Sequence, residues 1–355
     1  MKGWMGKLRA FSLLALTSLI LSGCGKENLT ALDPKGYGSN ISFNLIILTT
    51  VVMLFVLAVV VIVFTIVLIR FRRKKGQEDY IPKQVEGNKT LETIWTVIPI
   101  ILLLIIAVPT IMATFDLADE SDASDHLNVE VTGNQFWWHF NYEGKEIQTS
   151  QDLYIPVGEK VYLNMMSSDV IHSFWVPALS GKMDVNPDNE NTMYLKAEEE
   201  GVYYGKCAEF CGPSHSLMDF KVIAVSPDKF DQWTDDMENA DPDAEPDKAV
   251  AREGKSLFEQ KNCTACHAIG SSPTQIGPNL TDFGNRTRLA GIKDLNKENV
   301  VDWIMDPEAI KPGNKMTGQY PDVSKDEAGK IAEYLLQLKP TDVTPDTVSD
   351  SEDDD

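Results

Sequence analysis

The chain is short of positive charge. It carries 32 Lys and Arg against 53 Asp and Glu, a formal net charge of -21. That deficit argues against a nucleic-acid partner, whose phosphates call for cationic contacts. The imbalance is local. Residues 235–247 hold seven acids and no base, and residues 341–355 again hold seven acids and no base. Blocks of this kind are expected to be a solvated linker and a disordered tail. Two other stretches, 41–69 and 93–115, have no charge at all. Each exceeds the ~20 residues a helix needs to cross the hydrocarbon core. Such uniform apolarity excludes ordinary buried helices and predicts two membrane spans. Cysteine is scarce, five in 355 residues, and no internal repeat is evident.

What is present begins with an export signal over residues 1–23. Lys2, Lys7 and Arg9 precede an apolar stretch, 11–21, too short to span a bilayer. Leu21-Ser22-Gly23-Cys24 resembles the bacterial lipoprotein signal, in which the cysteine becomes the lipidated first residue. Residues 24–40 are then a lipid-anchored N-terminal segment. The loop 70–90 opens with Arg70-Phe71-Arg72-Arg73-Lys74-Lys75 and adds Lys83 and Lys89. Short basic loops stay cytoplasmic. The spans 41–69 and 91–115 therefore form a hairpin in the cell membrane, with both ends and the rest of the chain on the outer face. Pro99 and Pro109 are tolerable in a membrane helix whose neighbours satisfy the freed carbonyls.

From 127 to 227 the pattern changes to period two, as in Leu127, Val129, Val131 and in Phe136, Trp138, Phe140, Tyr142. Further strands are expected near 160–165, 192–197, 202–206 and 220–225. Many short strands with turn signals predict an all-β sandwich or barrel. Residues 228–250 read as an acidic linker. Helical spacing at 249–260, 298–305 and 324–338 predicts a small all-α domain over 251–340. The acidic tail, 341–355, follows. The fold class is multidomain.

Two motifs carry the chemistry. Cys207, Cys211, His215 and Met218 lie in one loop, with a second imidazole available at His172. Thiolate, imidazole and a weak thioether are the donors of a copper electron-transfer site. Two cysteines four apart can bridge two metals, with one histidine on each. The competing structures are a Cys207–Cys211 disulfide, the default in an oxidising compartment, and a zinc site, which would not need Met218. The second motif, Cys263-Thr264-Ala265-Cys266-His267, is the attachment sequence for covalent haem c, with His267 as axial ligand. A redox dithiol is the alternative. Met/His ligation suits an electron carrier. Met316 is the expected sixth ligand and Met305 its rival, better read as helix core. His126 and His139 lack ligand-like neighbours and are expected to be surface or sheet histidines.

Cys-x-Glu-x-Cys-x-x-x-His-x-x-Met, with the upstream His172-Ser173, resembles subunit II of cytochrome c oxidase. Val202-Tyr203-Tyr204-Gly205, Leu91-Glu92-Thr93-Ile94-Trp95 and Gln135-Phe136-Trp137-Trp138 agree with it. The whole chain resembles the form that ends in its own cytochrome c domain. The resemblance implies a cupredoxin sandwich with a dicopper CuA centre held by His172, Cys207, the Glu209 carbonyl, Cys211, His215 and Met218. It further implies a Glu209 side chain reaching a magnesium ion shared with subunit I, and a proton-uptake role for Glu92. Gly277-Pro278-Asn279-Leu280 resembles the segment whose proline carbonyl holds the proximal imidazole. An aromatic path for electrons falls on Phe136, Trp137 and Trp138, although the family often has Trp where Phe136 stands. Thr317, after Met316, also departs from the family, which often has Pro there. The implied partners are subunit I with its haem a-type and copper site, subunit III, and a cytochrome c or complex III-type donor. Oxygen reduction and proton pumping then belong to subunit I, and no catalytic residue is on this chain. Quinol-oxidising relatives keep the fold but lose the copper ligands. A stand-alone electron shuttle and a copper carrier are the rival classes. Nitrous oxide reductase shares the loop but needs a large catalytic domain that is missing here.

Overall fold

A computed structural model of the chain describes residues 2–21, 28–72, 76, 81, 87–271 and 276–349. Cys24, with the lipidation expected there, and most of the basic loop lie outside the described residues.

Helix α1 (Lys2–Leu21) is followed by two long apolar helices, α2 (Tyr37–Arg70) and α3 (Lys89–Leu117). Both are long and apolar enough to cross a membrane. Asn88 caps α3 by accepting from the amides of Thr90 and Leu91, and Pro99 and Pro109 lie inside the helix. The other end of the hairpin is sewn to the next domain. The amides of Lys35, Tyr37 and Ser39 donate to the carbonyls of Ala178, Lys196 and Leu179. The Tyr37 hydroxyl donates to Asp116 at 2.8 Å.

Ten strands form the sandwich: β1 (Leu127–Asn134), β2 (Trp137–Tyr142), β3 (Ile147–Ser150), β4 (Asp152–Pro156), β5 (Val161–Ser167), β6 (His172–Trp175), β7 (Lys182–Val185), β8 (Asn191–Leu195), β9 (Gly201–Cys207) and β10 (Asp219–Val225). One sheet runs β3-β2-β1-β5-β8 and the other β4-β10-β9-β6-β7. The pairs β1–β5 and β4–β10 are parallel and the rest antiparallel. Alternation places Val129 and Val131, then Trp138, Phe140 and Tyr142, in the core between the sheets.

The acidic stretches are more ordered than their charge suggests. The linker expected over 228–250 begins as helix α4 (Pro227–Glu238). Phe230, Trp233 and Met237, at helical spacing, form an apolar stripe that joins the sandwich core. Trp233 stacks on Tyr154 with ring centroids 4.7 Å apart. Only residues 239–248 connect α4 to α5 (Ala249–Gln260). The tail expected to be disordered over 341–355 is docked as far as 349. Helix α9 (Pro345–Ser349) ends it, and Val343 and Val348 are buried in the sandwich core. Apolar burial outweighs the acids, which remain on the solvent side.

Between these segments lies the small helical domain, comprising α5, α6 (Lys297–Met305), α7 (Pro307–Ile310) and α8 (Lys325–Leu335). Its core is a separate cluster built on Phe258, Leu280, Phe283, Val300, Ile304, Ile331 and Leu335.

Candidate functional site

Strand β9 delivers Cys207 at its last residue, and β6 pairs beside it with Phe174 opposite Cys207. This places His172 one step from the thiol. The loop then returns Cys211, His215 and Met218 before β10 resumes. The Cys207 and Cys211 sulfurs are 3.9 Å apart, against about 2.05 Å for a disulfide, and both are free. His172 Nδ1 lies 3.9 Å from the Cys207 sulfur. His215 Nδ1 lies 3.6 Å from that of Cys211, with Met218 Sδ at 3.8 Å. The Glu209 carbonyl oxygen is 3.3 Å from the Cys207 sulfur, while the Glu209 side chain faces out. His172, Cys207, Cys211 and Met218 are buried. Gly133 makes room for the imidazole, since a Cβ there would meet His172 Cδ2 at 2.9 Å.

The electrostatics ask for cations. The Cys211 thiol, with His172 and backbone amides, pulls the Cys207 thiol well down against the opposing effect of burial. The Cys207 thiolate and burial in turn push Cys211 well up. Two thiolates this close repel one another, so a bound metal is what would hold both. Two thiolates, two imidazoles and a buried thioether are soft donors that fit copper.

Asp169 is a residue that motif reading missed. Its Oδ1 is 2.9 Å from His172 Nε2, so the ring's other nitrogen is left facing Cys207. Burial would raise the Asp169 carboxyl, but hydrogen bonds from His172, Lys315 and the amides of Gln135 and Val170 outweigh it and hold it well below its ordinary range. Gln135 was missed as a copper-loop residue too: its side-chain amide donates to the Cys211 carbonyl at 2.6 Å.

The haem motif opens onto a cavity of about 470 Å³, lined by Cys263, Cys266, His267 and Met316 among largely apolar side chains. His267 Nδ1 is 2.8 Å from the Pro278 carbonyl oxygen, which leaves Nε2 for an axial bond. A Cβ at Gly277 would meet the His267 ring at 3.1 Å. Met305 is exposed and is not part of the cavity wall. These residues fit a covalent haem, and His267 and Met316 are the side chains that would hold its iron.

The cavity wall also includes Gln135, Phe136 and Trp137 from the sandwich. Trp138 is instead fully buried in the core, with its ring 5.9 Å from that of His172. The aromatic run is thus divided by strand alternation, with Trp138 under the copper loop and Trp137 facing the haem cavity. Several hydrogen bonds join the two domains. Ser214 Oγ donates to the Pro312 carbonyl at 2.6 Å, Lys315 meets Asp169 at 2.7 Å, and Lys221 donates to Thr287 at 2.7 Å. Glu92 lies in the first turn of α3. That is about 36 Å along the helix axis from Asp116, at the end that meets the sandwich.

Three family models match the chain: "Cytochrome C oxidase subunit II, transmembrane domain" over 38–112, "Cytochrome C oxidase subunit II, periplasmic domain" over 143–225, and "Cytochrome c" over 251–339. The chain is 48% identical over 349 residues to cytochrome c oxidase subunit 2 of Bacillus subtilis, covering 93% of this chain and 98% of that protein. It is 49% identical over 344 residues to cytochrome c oxidase subunit 2 of Alkalihalophilus pseudofirmus, covering 96% and 99%. A quinol oxidase subunit 2 of Bacillus anthracis is 34% identical over 241 residues, covering 67% and 82%.

Proposed function

The chain belongs to the cytochrome c oxidase subunit II family, and from that premise we propose that it takes electrons at a covalent haem on Cys263 and Cys266 and passes them by way of a dicopper centre to subunit I of the oxidase. It is an electron-transfer subunit with two membrane spans, a copper domain and a cytochrome c domain. Bound haem c and dicopper supply one-electron carriers. The rest is done by this chain's own groups. Cys207 and Cys211 would hold the copper ions through their thiolates. His172, His215, Met218 and the Glu209 carbonyl would complete the set, with Asp169 orienting His172. His267, steadied by the Pro278 carbonyl, and Met316 would hold the haem iron. The exposed Glu209 side chain would serve a magnesium ion at the subunit I contact. Glu92, at the far end of α3, would serve proton uptake, and Cys24 would carry lipid on the outer face. A cytochrome c or complex III-type protein is the donor, and subunit III a further partner.

The observation that carries this reading is a single contact region. The haem cavity and the copper loop share the segment Gln135–Trp137. The test is the metal and haem content of the detergent-solubilised complex, with its partner chains identified. Two coppers and one haem c per chain are expected, together with a-type haem from subunit I. Absence of copper, or a Cys207–Cys211 disulfide in matured protein, overturns the dicopper assignment. Copper and haem c without a-type haem would favour a stand-alone shuttle.

A further inference from the structure

Lys311 is an unusual residue to find where it lies. Only 3% of it is exposed, and it lines the haem cavity in the segment between α7 and Met316. Its Nζ donates to the Phe136 carbonyl of the copper domain at 2.7 Å and to the Ala290 carbonyl of the haem domain at 2.8 Å. Burying an amine is costly unless its hydrogens are used. Here one of them crosses to the copper domain and a second ties the amine to its own domain. Charged or neutral, the nitrogen keeps enough hydrogens for both carbonyls, so the join is not tied to one protonation state.

The join leads directly toward the copper loop. Phe136 is bonded to Gln135, whose side chain holds the Cys211 carbonyl. Two residues beyond Lys311, Gly313 would place a Cβ 3.3 Å from Pro213, in the loop between Cys211 and His215. The amine therefore pins the haem-cavity wall to the backbone that positions a copper-bridging cysteine.

We propose that Lys311 is a positioning residue for electron transfer between the two cofactors, fixing the haem domain in register on the copper loop through paired hydrogen bonds to the Phe136 and Ala290 carbonyls. This rests on the functional reading above. In the step concerned one electron leaves ferrous haem, which becomes ferric, and reduces the oxidised dicopper centre by one electron. No proton need move.

The experiment uses the intact solubilised complex carrying Lys311→Met, which keeps the stem and removes the donors, and Lys311→Arg, which restores donors. In Lys311→Met the haem and copper spectra and contents are expected to match wild type, haem-to-copper transfer after rapid photoreduction to slow at least tenfold, and exchange to speed up at Gln135 and Ile292, the hydrogen-bonded amides flanking the two carbonyls. Lys311→Arg is expected to recover most of the transfer rate. A Lys311→Met complex with wild-type transfer and wild-type exchange overturns the proposal. So does one that loses haem or copper, which would make Lys311 a folding residue. A wild-type complex that binds both cofactors and passes no electron between them fails the functional reading itself, a result separable from any effect of the variant.

Discussion

At the copper loop, five side-chain donors converge against the two-sheet core, four of them buried. In the haem domain, by contrast, Cys263, Cys266 and His267 border a cavity of about 470 Å³. The first site is framed by paired strands, β9 against β6 and β10. Four of its donors, His172, Cys207, Cys211 and Met218, are buried by the fold, and cations would relieve the repulsion between its two thiolates. The second domain is short of core. Its apolar side chains face the space a porphyrin would fill, so the cofactor completes the packing as well as carrying the electron. One site is a rigid frame that receives metal, and the other is a shell that needs its cofactor to be solid.

That contrast makes the largest expected effect. Cys263→Ala/Cys266→Ala should leave copper binding intact and melt the haem domain. Without haem the apolar side chains that face this cavity lose their packing partner, a loss large against the marginal stability of a small domain. Separate calorimetric transitions and copper analysis of the variant check this. A haem domain as stable as wild type without haem would break the comparison.

The next effect concerns the strap that returns from the haem domain to the sandwich. Thr341 Oγ1 donates to Asp236 at 2.7 Å, the Asn285 side chain donates to the Thr341 carbonyl at 2.8 Å, and Val343 and Val348 are buried. Together with α4 the strap holds the haem domain at both ends, so the flexible tether expected from the acidic linker gives way to a docked domain. Val343→Ala/Val348→Ala should destabilise the sandwich by about 3 kcal/mol, read from denaturant midpoints. An unchanged midpoint would show that the strap is not part of the copper domain's core.

A smaller effect sits at the copper centre itself. Asp169→Asn weakens the hold on His172 and should lower copper affinity by about 10- to 100-fold while leaving the sandwich folded. Competition with a chelator measures it. Unchanged affinity would mean that packing alone orients the ring.

The donors that name the chemistry were legible because they are clustered in sequence: Cys207 to Met218 in one loop, and Cys263 to His267 in one turn. The membrane hairpin and most strands were legible from uniform apolarity and from period two. Asp169 had a signal, lying three residues before His172, but an acid at that spacing is common. Gln135 and Lys311 had none, because each acts on a residue far away in the chain. Lys311 meets Phe136 across 175 positions. The strands β6 and β7 are four residues each, too short to show alternation. The acidic segments misled because net charge hides a stripe of three apolar residues in α4 and two valines in the strap. Charge counting averages over a window, whereas docking depends on which face each residue occupies.

The smallest effect separates the frame from the shell by acidity. His139, on β2, has Nδ1 buried with no hydrogen-bond partner among the described residues. Burial pushes its imidazole down to about 4 from 6.5, with Glu130 opposing only in part. The unfolded chain therefore binds a proton between those values that the folded sandwich refuses, and stability rises with pH across that window. The contribution is full above about pH 6.5 and is lost as pH falls toward 4. His139→Gln should be less acid-sensitive than wild type in the copper domain's transition and identical in the haem domain's. Parallel curves for the two proteins from pH 7 to 4 would mean that His139 takes up its proton as readily in the folded sandwich as in the unfolded chain.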